Sequence, residues 1–494
     1  MDAPPPRWDL TRFAVLRGVN LVQFVAFLIW FRQGTFLVGA DGLTPARLFL
    51  ARVEEGIGSD ALSRVPTLFW LDDSDGALAA AGLVGVVLSG AALLGVTSAV
   101  LQLVLWVLYV SIVNVGQDWY GYGWETLLCE VSFLAIFLCP WGSWSPRGIP
   151  AASPVPIFLF RWLTFRILLG AGLIKLRGAP CWTELTCLVH HYQSQPNPHP
   201  LSWFYHHLPA WVHAAGVLYN HLVELVLPWL VFGPRAVRRA AGVVMLLFQV
   251  ILISSGNLAF LNWLTLVVGL SVFDDGMYAR IFPRLGAWLA PVAAPPRWSA
   301  RNVVLALVVA LVAWRSVPVV HNLFFAEKQA MNRSYDPLHL VNTYGAFGSV
   351  GEERFEAVIQ GTADDPSDPA ARWLDYEFPC KPGDVTRRPC LVTPYHPHLD
   401  WQMWFVPLQG VRRHTWIVHL MEKLLRGEEA AKAQFSFVPF PHTAPRAVRV
   451  AKFRYRFTDP GEPGWWVREP AGMFVRPLTL EDPGLVAVMA EEGW

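Results

Sequence analysis

The sequence predicts a multi-pass α-helical membrane domain of about nine spans followed by an α+β, strand-rich extracytoplasmic domain. Three observations carry this reading. Hydrophobic residues make up 54% of the 494 and charged residues only 16%, against roughly 25% charged in an ordinary soluble domain. Apolar runs near the length needed to cross a bilayer, about 20 residues, recur as far as residue 321 and then stop. From residue 322 onward Pro, Gly, Asp and Arg rise, which divides the chain into 1–321 and 322–494. The net charge of +1, without a dense Lys/Arg run, excludes a general nucleic-acid surface. The 24 tryptophans suit membrane-interface belts or a binding surface.

The nine apolar segments are 13–31, 77–95, 97–115, 124–141, 157–175, 212–232, 240–257, 258–273 and 303–321. The first is not a signal peptide: it carries Arg17 and Asn20 and ends in bulky IWFRQ without a small-residue cleavage site. The loop GPRAVRR (233–239) holds three arginines and is assigned to the cytoplasm. Loop 274–302, with Arg280, Arg284, Arg297 and Arg301, falls on the same side, as do loop 142–156 and an N-terminus carrying Arg7 and Arg12. Loops 32–76, 116–123 and 176–211 then face outward with everything after 321. This puts the lipid bilayer around the first domain and the C-terminus opposite the N-terminus.

In the second domain FEAVIQGT (355–362), RWLDYEFPC (372–380) and VRVAKFRYRF (448–457) read as strands. In the last of these, Phe453, Tyr455 and Phe457 alternate with Lys452, Arg454 and Arg456. TWIVHLMEKLLRG has Ile417, Leu420, Met421, Leu424 and Leu425 at helical spacing and closes on Gly427.

Cys129 and Cys139 lie within a predicted span, where free cysteine is a small apolar residue. Cys181 and Cys187 bracket WTELT, and Cys380 and Cys390 bracket KPGDVTRRP. Both pairs fall on the outward, oxidising side and read as structural disulfides. A redox pair is the alternative, although neither spacing is CxxC. A metal set is the third, but C-x5-C-x2-HH, adding His190 and His191, matches no zinc pattern. No metal and no cofactor is assigned.

Ionisable residues inside spans are costly, by about 2.5–3.5 kcal/mol each at the bilayer centre on insertion scales. Arg161, Arg166 and Lys175 lie on one span, Glu125 and Glu130 on another, and Asn220, His221 and Glu224 on a third. Either they pair to fix helix packing or they line an outward-opening cavity. In the second case Lys175 is a candidate general base, with Glu224 and the loop residues His190, His191, His206 and His207 beside it. The bland reading of those histidines is that they satisfy backbone groups at the membrane surface. No GxSxG, HExxH or phosphate-binding glycine loop occurs. Asn332-Arg333-Ser334 is an N-glycosylation triplet on the outward side.

Several long blocks resemble the lipase maturation factor family. They are WYGYGWETLLCEVSFLAIFLCP, LGAGLIKLRGAPCWTELTCLVHHYQSQPNPHPLSWFYHHLP, SGNLAFLNWLTLVVGLSVFDD, HLVNTYGAFGSV, YEFPCKPGDVTRRPCLVTPYHPHLDWQMWF and GWWVRE. They run in the family's order from about residue 13 to 494. The resemblance implies a non-enzymatic, chaperone-like membrane protein that promotes folding, dimer assembly and export of secreted lipases. Its C-terminal domain would face the lumen, in the endoplasmic reticulum membrane of a eukaryote or the cytoplasmic membrane of a bacterium. Trp401, Trp404, Trp465 and Trp466 are then candidate client anchors, with Trp401 and Trp404 expected in the core. A shorter resemblance, around GLIKL and the following tryptophan and histidines, is to the membrane domain of vitamin K-dependent carboxylase. It implies a rival reading, a membrane enzyme with Lys175 as base. A thiol-redox factor using Cys181 and Cys187 is a further rival.

Overall fold

The computed structural model describes residues 7–141, 143–289, 300–410 and 413–494; Arg297 lies outside them. The first described helix is α1 (Asp9–Val38), which has no single apolar face and buries Asp9, Arg12, Asn20 and Gln23 along with its apolar side chains. Its first N–H groups are capped from a distance: Asp275 accepts from the amides of Asp9, Leu10 and Thr11 at 2.8–3.1 Å. Helices α2 (Asp75–Leu94), α3 (Ala99–Val115) and α4 (Gly123–Leu138) follow. Ser74 caps α2 by accepting from the Ala77 amide. Gly82 and Gly85 let α2 lie directly on α1, because a Cβ at Gly85 would meet the Phe27 ring at 2.1 Å.

Helix α5 (Pro154–Leu176) starts with Pro at its first turn and Ser153 as cap. After it come α6 (Cys187–Ser194) and α7 (Ala210–His221), which passes into a π-helical turn at Leu222–Val226. Helices α8 (Arg235–Ser255), α9 (Leu261–Gly269) and α10 (Ala300–Phe324) complete the helical part. Among the described residues five helices, α1, α2, α5, α8 and α10, are long and apolar enough to cross a membrane. The other four predicted spans fold as shorter or interrupted helices. The 212–232 segment is broken by the π turn and Pro228, and 258–273 folds as Leu261–Gly269 followed by a 3-10 turn at Leu270–Val272.

The loops separate into two ends. At one end Asp274 gathers Arg235, Arg238 and Arg239 of the GPRAVRR loop. Beside it Asp9 accepts from the Ala152 amide at 2.9 Å and Arg12 donates to the Pro150 carbonyl at 2.9 Å. Residues 7–12, 150–152, 235–239 and 274–275 therefore meet at this end. At the other end lie the loops around 66, 117 and 193, together with the rest of the chain.

That remainder forms a four-stranded antiparallel sheet in the order β2-β1-β3-β4, built from β1 (Arg354–Thr362), β2 (Leu374–Asp375), β3 (Ala447–Phe457) and β4 (Trp466–Leu478). Helices α11 (His398–Gln409), α12 (Trp416–Leu425) and α13 (Pro483–Glu492) accompany it. Gly427 adopts φ +72° just past α12, in the left-handed region where glycine is favoured. The alternation in β3 holds, with Tyr455 and Phe457 buried and Arg454 exposed. The strand expected over 372–380 shrinks to Leu374–Asp375 and one bridge from Glu377 to Phe437. Pro379 has no N–H for a ladder, and the Cys380 amide is committed to Asp400 at 2.6 Å. One hydrophobic core runs without interruption from α1, α3 and α4 to β1, β3, α11 and α12.

Candidate functional site

Two buried ion pairs absorb most of the ionisable residues expected inside the helices. On α5, Arg166 meets Glu130 of α4, and both are about 1% exposed. The NTYG stretch completes this pair. Arg166 Nη1 donates to the Asn342 carbonyl at 2.9 Å, while Glu130 Oε2 accepts from Tyr344 Oη at 2.6 Å and from the Asn342 amide at 3.1 Å. Arg161 sits apart, donating to the Ser271 carbonyl and lying over the Trp8 ring.

In the last turn of α5, Lys175 Nζ donates to both oxygens of Glu224, at 2.7 and 2.6 Å. Asn220 donates to Glu224 Oε2 at 2.9 Å, and the Trp182 ring lies 5.2 Å from the ammonium. The π turn that begins at Leu222 carries Glu224 onto α5. Gly172 permits the approach, since a Cβ there would come 2.7 Å from Leu225 and 3.0 Å from Glu224.

This pair borders a cavity of about 450 Å³, lined also by His191, His213, Gln249, Asn262 and Tyr344. The cavity reaches exposed Leu208 and Ile251 at the helix surface. A second cavity of about 870 Å³, lined by Trp124, Trp401, Trp404 and Phe405, adjoins it across Gly345, Ala346 and Phe347. Asn332 contributes to both linings and accepts from the Gly345 amide at 3.1 Å, so the glycosylation triplet points its asparagine inward.

The structure thus brings Lys175, Glu224 and His191 together, and leaves His190, His206 and His207 out of that cavity. His206 packs on Phe457 of β3, and His207 packs on Trp203 with Nδ1 2.7 Å from the Trp203 carbonyl. Cys181 and Cys187 stand at disulfide distance, Cα–Cα 4.7 Å, as do Cys380 and Cys390 at 5.3 Å. Cys129 and Cys139 are free and buried.

Trp466 is buried, stacked on Phe457 at 4.3 Å, and so is Trp401, against Tyr122 and Trp124. Their large rings fill the core between sheet and helices, and Trp401 also borders the second cavity. Trp404 and Trp465 keep part of their surface.

Sequence reasoning passed over Arg354 and Asn342, which join the two parts of the chain. Arg354 reaches the carbonyls of Gln193, Gln195 and Pro196 in the proline-rich loop. The loop's need for a cation was concealed because the acceptors are backbone atoms.

Three groups, His191 and Asp400 buried and His206 half-buried, set opposing pH dependences. Burial, and then the Lys175 charge, pushes His191 down to about 4, and burial and neighbouring histidines push His206 to about 4. Both lie below the ordinary 6.5, so their contribution is present above pH 6.5 and lost as pH falls towards 4. Burial raises Asp400 from 3.8 to about 6 despite amide donors, so its contribution is full below 3.8 and lost as pH rises through 6. Each shift is worth roughly 3 kcal/mol at full effect, less for half-buried His206. The expected net is a modest loss of thermal stability between pH 6.5 and 4. Melting curves should show that acid loss flattened in His191→Gln and steepened in Asp400→Asn; unchanged slopes in both would contradict the assignment.

A bundle of membrane-length helices that shares its core with a small antiparallel sheet, and that pairs Arg166 with Glu130 and Lys175 with Glu224 inside it, defines a polytopic membrane protein with an attached extramembrane domain. Residues 10–280 match the lipase maturation factor transmembrane domain and residues 340–476 the lipase maturation factor C-terminal domain. The chain belongs to the lipase maturation factor family, and it is an integral membrane protein. It is 46% identical to lipase maturation factor 1 of Bos taurus over 504 residues, covering 96% of this chain and 90% of that one. Identity to the Homo sapiens lipase maturation factor 1 is 42%, over 98% and 90% of the two chains. The Homo sapiens lipase maturation factor 2 is 29% identical over 98% and 85%. The comparison with solved structures finds no match.

Proposed function

We propose that this chain is a chaperone-like lipase maturation factor, which promotes folding, dimer assembly and export of secreted lipases without catalysing a reaction on them. The observation that carries this reading is the likeness to lipase maturation factor 1 at 42% and 46% identity over nearly the whole chain, both domains included. Residues 1–321 act as the embedded unit, with nine apolar segments in which the shorter helices complete the five long ones. The end that gathers Asp274 and its arginines faces the cytoplasm. Residues 322–494 face the lumen of the endoplasmic reticulum in a eukaryote, or the outer side of the cytoplasmic membrane in a bacterium. There both cysteine pairs serve as structural disulfides. Partly accessible Trp404 and Trp465 are the client anchors that remain. The test is expression in cells that lack their own maturation factor and make a dimeric secreted lipase. Active lipase in the medium should rise. Membrane-inserted, folded protein that leaves lipase activity at the background level would refute the proposal.

The cavity at Lys175 favours one second reading, a membrane enzyme with that lysine as base. A base needs a free lone pair, whereas Lys175 gives two hydrogen bonds to Glu224. Lys175→Met alone leaves a buried carboxylate unpaired and should cost about 3–5 kcal/mol. Lys175→Met with Glu224→Met removes both charges and should recover most of the stability and lipase yield. A double variant that is as stable as the parent yet inactive would favour the enzyme.

A further inference from the structure

One cluster of buried ligand-type side chains takes no part in the ion pairs. Glu125, in the first turn of α4, faces His396 and His398, which flank Pro397 at the entry to α11. One ligand atom from each lies within 4.8 Å of the other two. All three side chains are buried. Glu125 Oε1 and His396 Nδ1 are 3.6 Å apart, beyond hydrogen-bond reach. Glu125 Oε1, both ring nitrogens of His396 and Nε2 of His398 have no hydrogen-bond partner among the described residues. The Trp124 indole lies against the same carboxylate but outside hydrogen-bond geometry.

The surroundings make this costly. Tyr122, Trp124 and Trp401 stand edge-on to His396 at 5.1, 5.2 and 5.6 Å, and Tyr120 lies 4.6 Å from His398. Buried polar atoms inside such an apolar box are normally satisfied. Within the three clustered side chains the unmet atoms are chiefly acceptors, and Tyr120 Oη, Tyr122 Oη and Trp124 Nε1 in the walls have no partner among the described residues either. His398 Nδ1 faces Gln33 Oε1 at 3.3 Å, which assigns the proton to Nδ1 and the lone pair to Nε2. A neutral His396 holds one lone pair, and Glu125 Oε1 offers more. Three acceptors converge, and one water has two protons to give.

A cation satisfies all three at once. Two imidazoles and a carboxylate are a known donor set for zinc, at about 2.0–2.2 Å from each atom, with a fourth position left over. A tetrahedral arrangement at those lengths separates ligand atoms by about 3.4 Å, close to the 3.6 Å of the Glu125–His396 pair. Outer partners are in place as well. Tyr109 Oη donates to Glu125 Oε2. Gln33 holds the loop, accepting from the His398 amide at 3.1 Å and donating to the His396 carbonyl at 2.9 Å.

We propose that Glu125, His396 and His398 bind one divalent transition-metal ion of the zinc type, which clips the YHPH loop of the C-terminal domain to the helical domain. The site escapes motif searches because its carboxylate and its imidazoles come from different domains.

The test uses the full chain purified in detergent, stripped with a chelator and titrated with zinc chloride. One zinc per chain should bind and raise the melting temperature. Glu125→Gln and His398→Gln should abolish stoichiometric binding. Tyr109→Phe, which removes only an outer partner, should weaken affinity by about 10–100-fold. Parent protein that takes up neither zinc nor iron(II), at an unchanged melting temperature, would overturn the proposal and point to ordered water. Full zinc retention in both ligand variants would overturn it as well, by placing the metal elsewhere.

Discussion

Arg166→Met should leave little folded protein in the membrane. Arg166 and Glu130 face each other across α4 and α5 with about 1% of either exposed. Removing one partner strands a buried charge, which costs about 3–5 kcal/mol. Domains of this kind hold about 5–15 kcal/mol in total. The mutual attraction is not itself the main stabiliser, since taking both ions out of water offsets most of it. A pair-removing double variant, Arg166→Met with Glu130→Met, should therefore regain stability, but only in part. Glu130 also accepts from Tyr344 Oη and the Asn342 amide, and both donors would then be unmet. Thermal melting of detergent-purified protein should rank the parent first, the double variant next and Arg166→Met last. A single variant as stable as the parent would show that the pair does not organise this core.

Much of the helical part was legible because its signal is local. Apolar runs such as those of α1, α5 and α10 appear directly as membrane-length helices, and the three arginines of GPRAVRR gather on Asp274. The 212–232 segment was legible as apolar but not as broken, because hydropathy does not register the π turn that turns Glu224 towards Lys175. At the cavity, the residue types were readable and their partners were not. Lys175 and Glu224 were both candidates, but His206 and His207, equally close in sequence, pack towards Phe457 and Trp203 instead. The tryptophans show the same limit. Trp465 and Trp466 are adjacent, yet Trp466 opens β4 and stacks on Phe457 in the core, while Trp465, just before the strand, stays partly accessible. The chemistry least visible in advance joins distant parts of the chain: Glu125 with His396 and His398, and Arg354 with the backbone of the proline-rich loop.

Arg354→Met should loosen the sheet from the helical domain without unfolding the helices. Arg354 stands at the first position of β1, its side chain wholly buried. Its guanidinium donates to the carbonyls of Gln193 at 2.9 Å and Pro196 at 2.8 Å, to that of Gln195, and through Nε to Glu356 at 2.6 Å. Gln193 lies in the last turn of α6, where carbonyls have no intrahelical donor, and Gln195 and Pro196 lie in the proline-rich segment that follows, so none of the three has a helix partner to return to. Glu356 keeps Lys381 as its one remaining cation. Methionine fills similar space but supplies no donor, and the expected loss is about 3–5 kcal/mol. The cost falls on the contact between β1 and residues 193–196, while the apolar core shared by the helices and the sheet keeps its own side chains. Limited proteolysis should then cut near residues 322–353 and release the C-terminal domain, while the helical fragment stays in the membrane. Arg354→Lys should fall between the two, since it keeps the charge beside Glu356 but loses the planar fork that serves three carbonyls. Secreted lipase activity should follow the integrity of this contact if the two domains must act together on a client. A variant that resists cleavage and melts with the parent would show that the shared hydrophobic core alone holds the sheet in place.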